Sequence, residues 1–301
     1  MNVGIVDLGS NTVRLSVYRV NDDKVKLLLH RKVTAGIASY TSKKKLSDEG
    51  IGLICEILTE FHELLSNLEI PSMHIFATAS LRNIINRDEA LSEIIKKTGL
   101  KIDVISGEEE AMLSFYGALP DISFSSGLMI DMGGGSTELL HFDNKKILTS
   151  CSLPVGSLDL FNRHVSGLFP DTSECCSIQK EVRELLFHFG IEHFDSTHVV
   201  GVGGTIRAIC KISNHYFKRS GGSDMFTLSE LREVTEQLKL MKVSTAREVL
   251  KLIPERIHTI VPGAIALESI CATYGVNDIT VSPHGAREGY LCRHVLGKEQ
   301  K

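Results

Sequence analysis

The chain has 301 residues, a length that corresponds to about two domains and suffices to bury a large core. Hydrophobic residues make up 43% and charged residues 23%, and this balance excludes disordered and collagen-like chains. The net charge of −4 excludes a protein that attracts nucleic acid through an overall positive field, so we expect no DNA partner.

The amino terminus predicts a meander of three strands. Val3–Asp7 and Val13–Val20 are apolar runs, and Asn21-Asp22-Asp23 is a turn signal before a third run, Lys24–Leu29. No basic segment followed by a long apolar run opens the chain, so we expect no signal peptide, no membrane partner and a cytoplasmic location.

Helices and strands alternate after the meander. Ser47 is the predicted N-cap of a helix whose apolar residues, from Ile51 to Leu68, recur three or four positions apart. The later predicted elements are a strand at His74–Ala79, a helix that Asn86 caps and Gly99 closes, a strand at Ile102–Ile105 and a helix at Glu108–Leu119. Such alternation predicts a mixed sheet covered by helices.

The pattern then begins again after residues 123–126. The repeated meander consists of predicted strands at Gly127–Asp131, Glu138–Phe142 and Lys146–Leu153, with a turn at Asp143-Asn144. The remaining predicted elements are a helix from Ser173, a strand at His198–Val202, a helix after the capping box Thr227-Leu228-Ser229-Glu230, a strand at Ile279–Val281 and a helix at Ala286–Leu296. We therefore predict two domains, 1–123 and 124–285, with a closing helix at 286–301 that packs back on the first.

Two related loops point to chemistry. Asp7-Leu8-Gly9-Ser10-Asn11-Thr12 recurs as Asp131-Met132-Gly133-Gly134-Gly135-Ser136-Thr137, and each copy lies between two predicted strands. Glycine-rich turns present backbone N–H groups in a concave nest that suits phosphate, whereas an aspartate repels phosphate and favours a divalent cation. One such loop alone would be an ordinary hairpin, but two copies in register indicate a phosphate site with Mg²⁺, or Mn²⁺, as the cofactor.

Two Asp-Gly hairpins that face each other across a cleft resemble the plan of the actin, Hsp70 and sugar kinase superfamily. The segment Gly201-Val202-Gly203-Gly204-Thr205 resembles the third glycine signature of that superfamily. The resemblance implies an α/β fold of two duplicated ribonuclease H-like (actin-like ATPase) domains with an interdomain cleft.

Within the superfamily, six segments make the chain similar to the Ppx/GppA family. They are Val6–Leu15, Ala77-Thr78-Ala79-Ser80-Leu81-Arg82, Ile105-Ser106-Gly107-Glu108-Glu109-Glu110-Ala111, Asp131–Glu138, Pro254-Glu255-Arg256 and Gly285-Ala286-Arg287-Glu288-Gly289. Thr12 and Ala286 stand where the family usually has Ser and Leu. Because the sequence stops at Lys301, it resembles the short, two-domain members, which lack the helical HD-type domain of the long ones.

The resemblance implies a hydrolase of terminal phosphoanhydrides, with inorganic polyphosphate or a guanosine penta- or tetraphosphate as partner. It assigns Glu110 as the base that activates water, Glu138 as a second catalytic candidate, and Asp7, Asp131 and Glu138 as metal ligands. The expected phosphate-binding residues are Gly9, Ser10, Asn11, Arg82, Gly133, Gly134, Gly135, Ser136, Thr137, Gly203 and Gly204. Arg14, in the second strand, is an additional candidate.

Several alternatives stay open at this level. The chain could be a kinase of the same superfamily, or a sensor that binds polyphosphate or (p)ppGpp with little turnover. The basic run Lys43-Lys44-Lys45 is either a solvated loop or a guide for a polyanion, and a homodimer is one expected assembly. The seven cysteines show no metal-binding spacing, so we interpret them as small buried hydrophobic residues in a reducing compartment.

Overall fold

The computed structural model describes residues 1–21, 24–192 and 198–297. The chain forms two compact units, Met1–Gly107 and Glu108–Lys301. Two predicted features lie partly outside the described residues: the first turn, at Asp22 and Asp23, and the end of the closing helix, at 298–301.

The first unit is built on one mixed sheet and a small hairpin. Its strands are β1 (Asn2–Leu8), β2 (Thr12–Asn21), β3 (Lys24–Thr34), β4 (Thr41–Ser42), β5 (Lys45–Leu46), β6 (Met73–Ala77) and β7 (Asp103–Val104). The main sheet has the order β3-β2-β1-β6-β7, in which β1–β3 form the predicted antiparallel meander and β6 runs parallel to β1. β3 continues beyond the predicted Leu29 because its pairing with β2 extends to Thr34 opposite Thr12.

Helices complete the described part of the first unit: a short 3-10 helix (Ile37–Tyr40), α1 (Asp48–Asn67), α2 (Ala79–Arg82) and α3 (Arg87–Thr98). The Ser47 side chain accepts a hydrogen bond from the Gly50 amide, which confirms the predicted cap of α1. Asn86 occupies the predicted N-cap position of α3, but its side chain makes no capping hydrogen bond. Its side-chain amide instead bonds both the N–H and the carbonyl oxygen of Leu46 on β5. The predicted strand at His74–Ala79 ends earlier, and Ala79 begins α2.

The second unit repeats this sheet. Its strands are β8 (Gly127–Met132), β9 (Thr137–Asp143), β10 (Lys146–Leu153), β11 (His198–Val202), β12 (Met225–Thr227) and β13 (Asp278–Val281). The order is β10-β9-β8-β11-β13-β12, so its first four strands match β3-β2-β1-β6 of the first unit. The predicted internal repeat is therefore confirmed at the level of topology.

The second unit contains most of the helices. They are α4 (Gly107–Ala118), α5 (Ser157–His164), α6 (Thr172–Phe189), α7 (Gly204–Tyr216), α8 (Leu228–Leu240), α9 (Val243–Leu252), α10 (Ile260–Thr273) and α11 (Ala286–Tyr290). The predicted capping box before α8 is present, with reciprocal hydrogen bonds between Thr227 and Glu230. The predicted closing helix is α-helical only to Tyr290 and continues as a π-helical turn, Leu291–Val295.

The boundary between the units differs from the predicted one after residue 123. Helix α4 lies on the sheet of the second unit, where Ala111 and Phe115 are fully buried in one cluster with Met129 and Leu140. This packing groups α4 with the strands that follow it. Helix α11 packs against α4, a helix that lies within the predicted first domain, 1–123.

The apolar segment around α10 is a core helix of the second unit. Nearly every residue from Ile260 to Cys271 is buried, so this helix is apolar on all sides. Among residues 1–21, 24–192 and 198–297, no helix is long and apolar enough to cross a membrane. Burial also raises the pKa of the Cys210 thiol to about 11, as expected for a cysteine that serves as a small core residue.

Candidate active site

The first candidate loop is the hairpin between β1 and β2. The Gly9 amide donates to the Thr12 carbonyl oxygen at 3.1 Å, which closes a tight turn over Ser10 and Asn11. The Asn11 carbonyl oxygen accepts from the amides of Ala35 and Gly36, at 3.0 and 2.9 Å, so the chain after β3 supports the turn. The predicted phosphate loop is thus a fixed hairpin at the end of β1.

An ion pair lies at the base of this hairpin. Asp7 and Arg14 are register partners on β1 and β2, and their side chains meet at 3.5 Å between Oδ2 and Nη1. Both side chains are largely covered, at 16% and 18% exposure. The carboxylate predicted to bind a metal ion therefore already faces a guanidinium, and the pair fixes the position of Arg14.

Arg82 lies at the same edge of the first sheet. It ends α2, which begins just after β6, and β6 runs parallel to β1. Its Nη1 lies 3.5 Å from the carbonyl oxygen of Ile105, just beyond β7, and the Ser80 hydroxyl donates to the Leu8 carbonyl oxygen at 2.5 Å. The carboxyl ends of parallel strands are where open α/β sheets bind ligands, so this position suits an anion-binding arginine.

The second candidate loop, between β8 and β9, repeats the geometry of the first. The Gly133 amide donates to the Ser136 carbonyl oxygen at 3.0 Å, as Gly9 does to Thr12. Asp131 and Glu138 are register partners at its base. Ser114 on α4 hydrogen-bonds Asp131, and Ser152 donates to Glu138 at 2.9 Å, so hydroxyl groups orient both carboxylates.

A third loop approaches Asp131 from β11. Gly203 follows β11, the strand that pairs with β8. It adopts φ 95° and ψ 163°, a conformation that glycine adopts readily and residues with a side chain rarely adopt. A Cβ at Gly203 would lie 2.6 Å from the Met132 carbonyl oxygen and 2.7 Å from Asp131 Oδ1. Gly204 then begins the 13-residue helix α7, so the partial positive charge of a helix N-terminus lies close to the second loop.

A buried chain of hydrogen bonds supports the second and third loops. Ser157, at the start of α5, contacts the Gly133 carbonyl oxygen with its hydroxyl at 3.3 Å and with its amide at 3.1 Å. The Ser157 and Thr205 hydroxyls are 3.1 Å apart, and Arg256, only 9% exposed, donates to Thr205 at 3.2 Å. Ser157 is not among the predicted site residues. Its signal is the Gly156-Ser157 pair after β10, which resembles a helix start.

Helix α4 brings the predicted base towards the carboxylate pair. Glu110 is half-buried in the first turn, and Ser114 lies one turn further along on the same face. Because Ser114 contacts Asp131, this face of α4 is directed to the second loop. Glu108 in the same turn is exposed. The second unit therefore gathers Glu110, Asp131 and Glu138 around one loop.

The carboxylates at the second loop fit a magnesium ion whose coordination is completed by substrate phosphate better than an ion that is coordinated by protein side chains alone. Among the described residues, no group of three or more His, Cys, Asp and Glu side chains is arranged to hold a metal ion. Mg²⁺ commonly takes one or two carboxylates and completes its shell with water and substrate phosphates. Asp131 and Glu138, adjacent across β8 and β9, are the pair that meets this requirement.

The duplicated sheet, with a hairpin loop after the first strand of each copy, defines an α/β fold of the actin-like ATPase type. A family model described as the Ppx/GppA phosphatase family matches residues 16–298. The chain therefore belongs to the Ppx/GppA family, as the sequence analysis predicted.

Two similar curated proteins have different names. Exopolyphosphatase 1 of Mycobacterium leprae is 25% identical over 98% of this chain and 90% of its own length. The guanosine-5'-triphosphate,3'-diphosphate pyrophosphatase of Photobacterium profundum is 26% identical over 95% of this chain and 58% of its own length. A solved exopolyphosphatase from Cytophaga hutchinsonii has a TM-score of 0.84 at 22% identity and covers 99% of both chains, which supports the fold.

Proposed function

We propose that this phosphatase-family protein hydrolyses a terminal phosphoanhydride. The substrate is inorganic polyphosphate, the 5′-phosphate of pppGpp, or both, since both present the same terminal anhydride. The observation that carries the proposal is the second loop. There a glycine-rich turn, two hydroxyl-oriented carboxylates and the Glu110 face of α4 come together in one unit.

The first task of such an enzyme is to neutralise and hold the terminal phosphate. The Gly133 amide closes the turn onto Ser136. The amides of Gly134 and Gly135, and the start of α7 at Gly203 and Gly204, would donate hydrogen bonds to phosphate oxygens. Ser136 and Thr137 are at most 3% exposed, and Thr137 donates to the Val155 carbonyl oxygen at 2.7 Å, so its hydroxyl helps to shape the loop.

The hairpin of the first unit would bind phosphate oxygens in the same way. Its donors are the Gly9 turn with Ser10 and Asn11, together with the guanidinium of Arg82. A guanidinium presents a planar fork that bonds two phosphate oxygens at once, which suits the charge of a polyanion.

The second task is to activate water. Glu110 would accept the proton of the attacking water, and the half-buried site keeps this carboxylate close to the loop. Glu138, 1% exposed and held by Ser152, would orient the same water or bind the metal ion. A magnesium ion held by Asp131 and Glu138 would neutralise charge on the phosphate oxygens.

The test compares Glu110→Gln with Glu108→Gln, a matched change at the exposed neighbour in the same helical turn. Orthophosphate release from long-chain polyphosphate and from pppGpp is measured with Mg²⁺, and binding is measured in parallel. We expect Glu110→Gln to abolish turnover and keep binding, and Glu108→Gln to keep both. Near-normal turnover of Glu110→Gln would refute the base assignment.

The same assay, with ATP and sugars as additional substrates, separates a sensor and a kinase from a hydrolase. Tight binding without phosphate release by the unmodified protein would identify a sensor. Phosphate transfer from ATP to a sugar in place of hydrolysis would identify a kinase.

A further inference from the structure

The segment Ser282–Val295 follows α4 along its whole length within the second unit. We refer to it as the C-terminal strap. Beyond the carboxyl end of α4, His284 Nδ1 and the Ser282 hydroxyl contact Asp121 Oδ2 at 2.9 and 2.6 Å. At the amino end, His294 Nε2 lies 3.0 Å from Glu109 Oε1. The strap therefore contacts α4 at the turn that carries Glu110 and just beyond its other end.

Between these ends the two backbones touch. A Cβ placed on Gly117 would lie 1.9 Å from the Gly285 carbonyl oxygen, and a Cβ on Gly289 would lie 1.9 Å from the Leu113 carbonyl oxygen. No side chain fits at either position, so α4 and α11 are in direct backbone contact. A shift of one helix therefore requires a shift of the other.

Near the amino end of α4 the strap changes its geometry. Leu291–Val295 is a π-helical turn, which adds a residue to the turn relative to an α-helix and is frequent at functional sites. The ring of His294 stacks on Tyr290 with centroids 4.7 Å apart and an interplanar angle of 19°. The guanidinium of Arg293 lies over the Tyr116 ring at 5.1 Å. The Tyr290 ring thus covers one face of the imidazole that meets Glu109, and the neighbouring Arg293 anchors the same turn on α4.

We propose that His294 is a positioning residue for Glu110. The inference rests on the proposed function, because it concerns the base of that reaction. Glu109 and Glu110 are consecutive in the first turn of α4, so their side chains point about 100° apart around the helix. The His294–Glu109 contact fixes this turn from the strap side. Glu110 is thereby held on the face of α4 that carries Ser114, whose hydrogen-bond partner is Asp131 on β8.

The kinetic test uses His294→Ala, His294→Gln and a matched control. His215 Nε2 also lies 3.0 Å from a carboxylate, Glu248, and its side chain is 49% exposed against 41% for His294, but this pair joins α7 to α9. We expect His294→Ala to lower kcat about tenfold with KM within about twofold, as for a misplaced base. His294→Gln, which keeps a donor near the Nε2 position, should recover most of the loss, and His215→Ala should show none.

A second measurement does not depend on turnover. Hydrogen exchange of the α4 amides at residues 111–115 should accelerate in His294→Ala, return towards normal in His294→Gln and stay unchanged in His215→Ala. Unchanged exchange in His294→Ala would overturn the inference whatever the activity. So would a loss of kcat that is equal in the Ala and Gln variants. Absence of turnover in the unmodified protein would refute the proposed function, and exchange would still decide the role of His294.

Discussion

The approach of Gly203 to Asp131 allows a substitution test with a built-in control. In Gly203→Ala the new methyl group meets a carbonyl oxygen at 2.6 Å and a carboxylate oxygen at 2.7 Å, in a backbone with φ 95°. The backbone strain costs about 1–3 kcal/mol, and relief of the overlap adds about 1–3 kcal/mol. Gly221→Ala places the same methyl group at φ 83° with nothing within 4 Å, so it carries the strain alone.

We therefore expect Gly203→Ala to lower the free energy of unfolding by about 1–3 kcal/mol more than Gly221→Ala does, as measured by urea denaturation. Because the overlap pushes the α7 turn away from Asp131, phosphate release should fall at least about tenfold in Gly203→Ala only. Equal losses of stability in the two variants, together with normal turnover in Gly203→Ala, would refute the close approach of this turn to the carboxylate.

Three further outcomes are expected. Thr205→Val removes the hydroxyl shared by Arg256 and Ser157 and should lower the free energy of unfolding by about 1–3 kcal/mol, whereas a change within experimental error would contradict the network. Burial, with the nearby Arg256 charge, lowers the pKa of His258 in the folded state. The contribution of the neutral imidazole to the free energy of unfolding should therefore be full above about pH 6.5 and be lost as the pH falls through the lower folded pKa. His258→Gln should weaken this pH dependence of the free energy of unfolding, as measured by denaturation curves. EDTA should stop phosphate release and added Mg²⁺ should restore it; release that continues in EDTA would exclude the metal ligands proposed above.

Local signals predicted the parts of the fold that depend on neighbours in sequence. The hairpins at Gly9 and Gly133 close through hydrogen bonds that span three residues, so short motifs suffice to reveal them. The capping box at Thr227 and Glu230 is equally local. These local features, together with the order of the predicted elements, suffice to predict the internal repeat and the family from the sequence.

Features that depend on distant partners were not predictable in this way. The Asn86 side chain has the right position for a cap, but it bonds Leu46 on a hairpin 40 residues earlier. Helix α10 is buried on all sides and so has no apolar stripe to reveal its period. The chain of Ser157, Thr205 and Arg256 joins three segments that only the folded structure brings together.

The two hairpins share one backbone geometry but not one charge pattern. At the position two residues beyond the turn, the first copy has Arg14 opposite Asp7 and the second has Glu138 opposite Asp131. The first pair is electrically neutral, and the second carries two negative charges when ionised. The difference of one charged residue between the two copies would thus give loops of the same hydrogen-bonding pattern different ligand preferences. An anion could approach the first loop without a cation, whereas the second would need a cation before it accepts a phosphate.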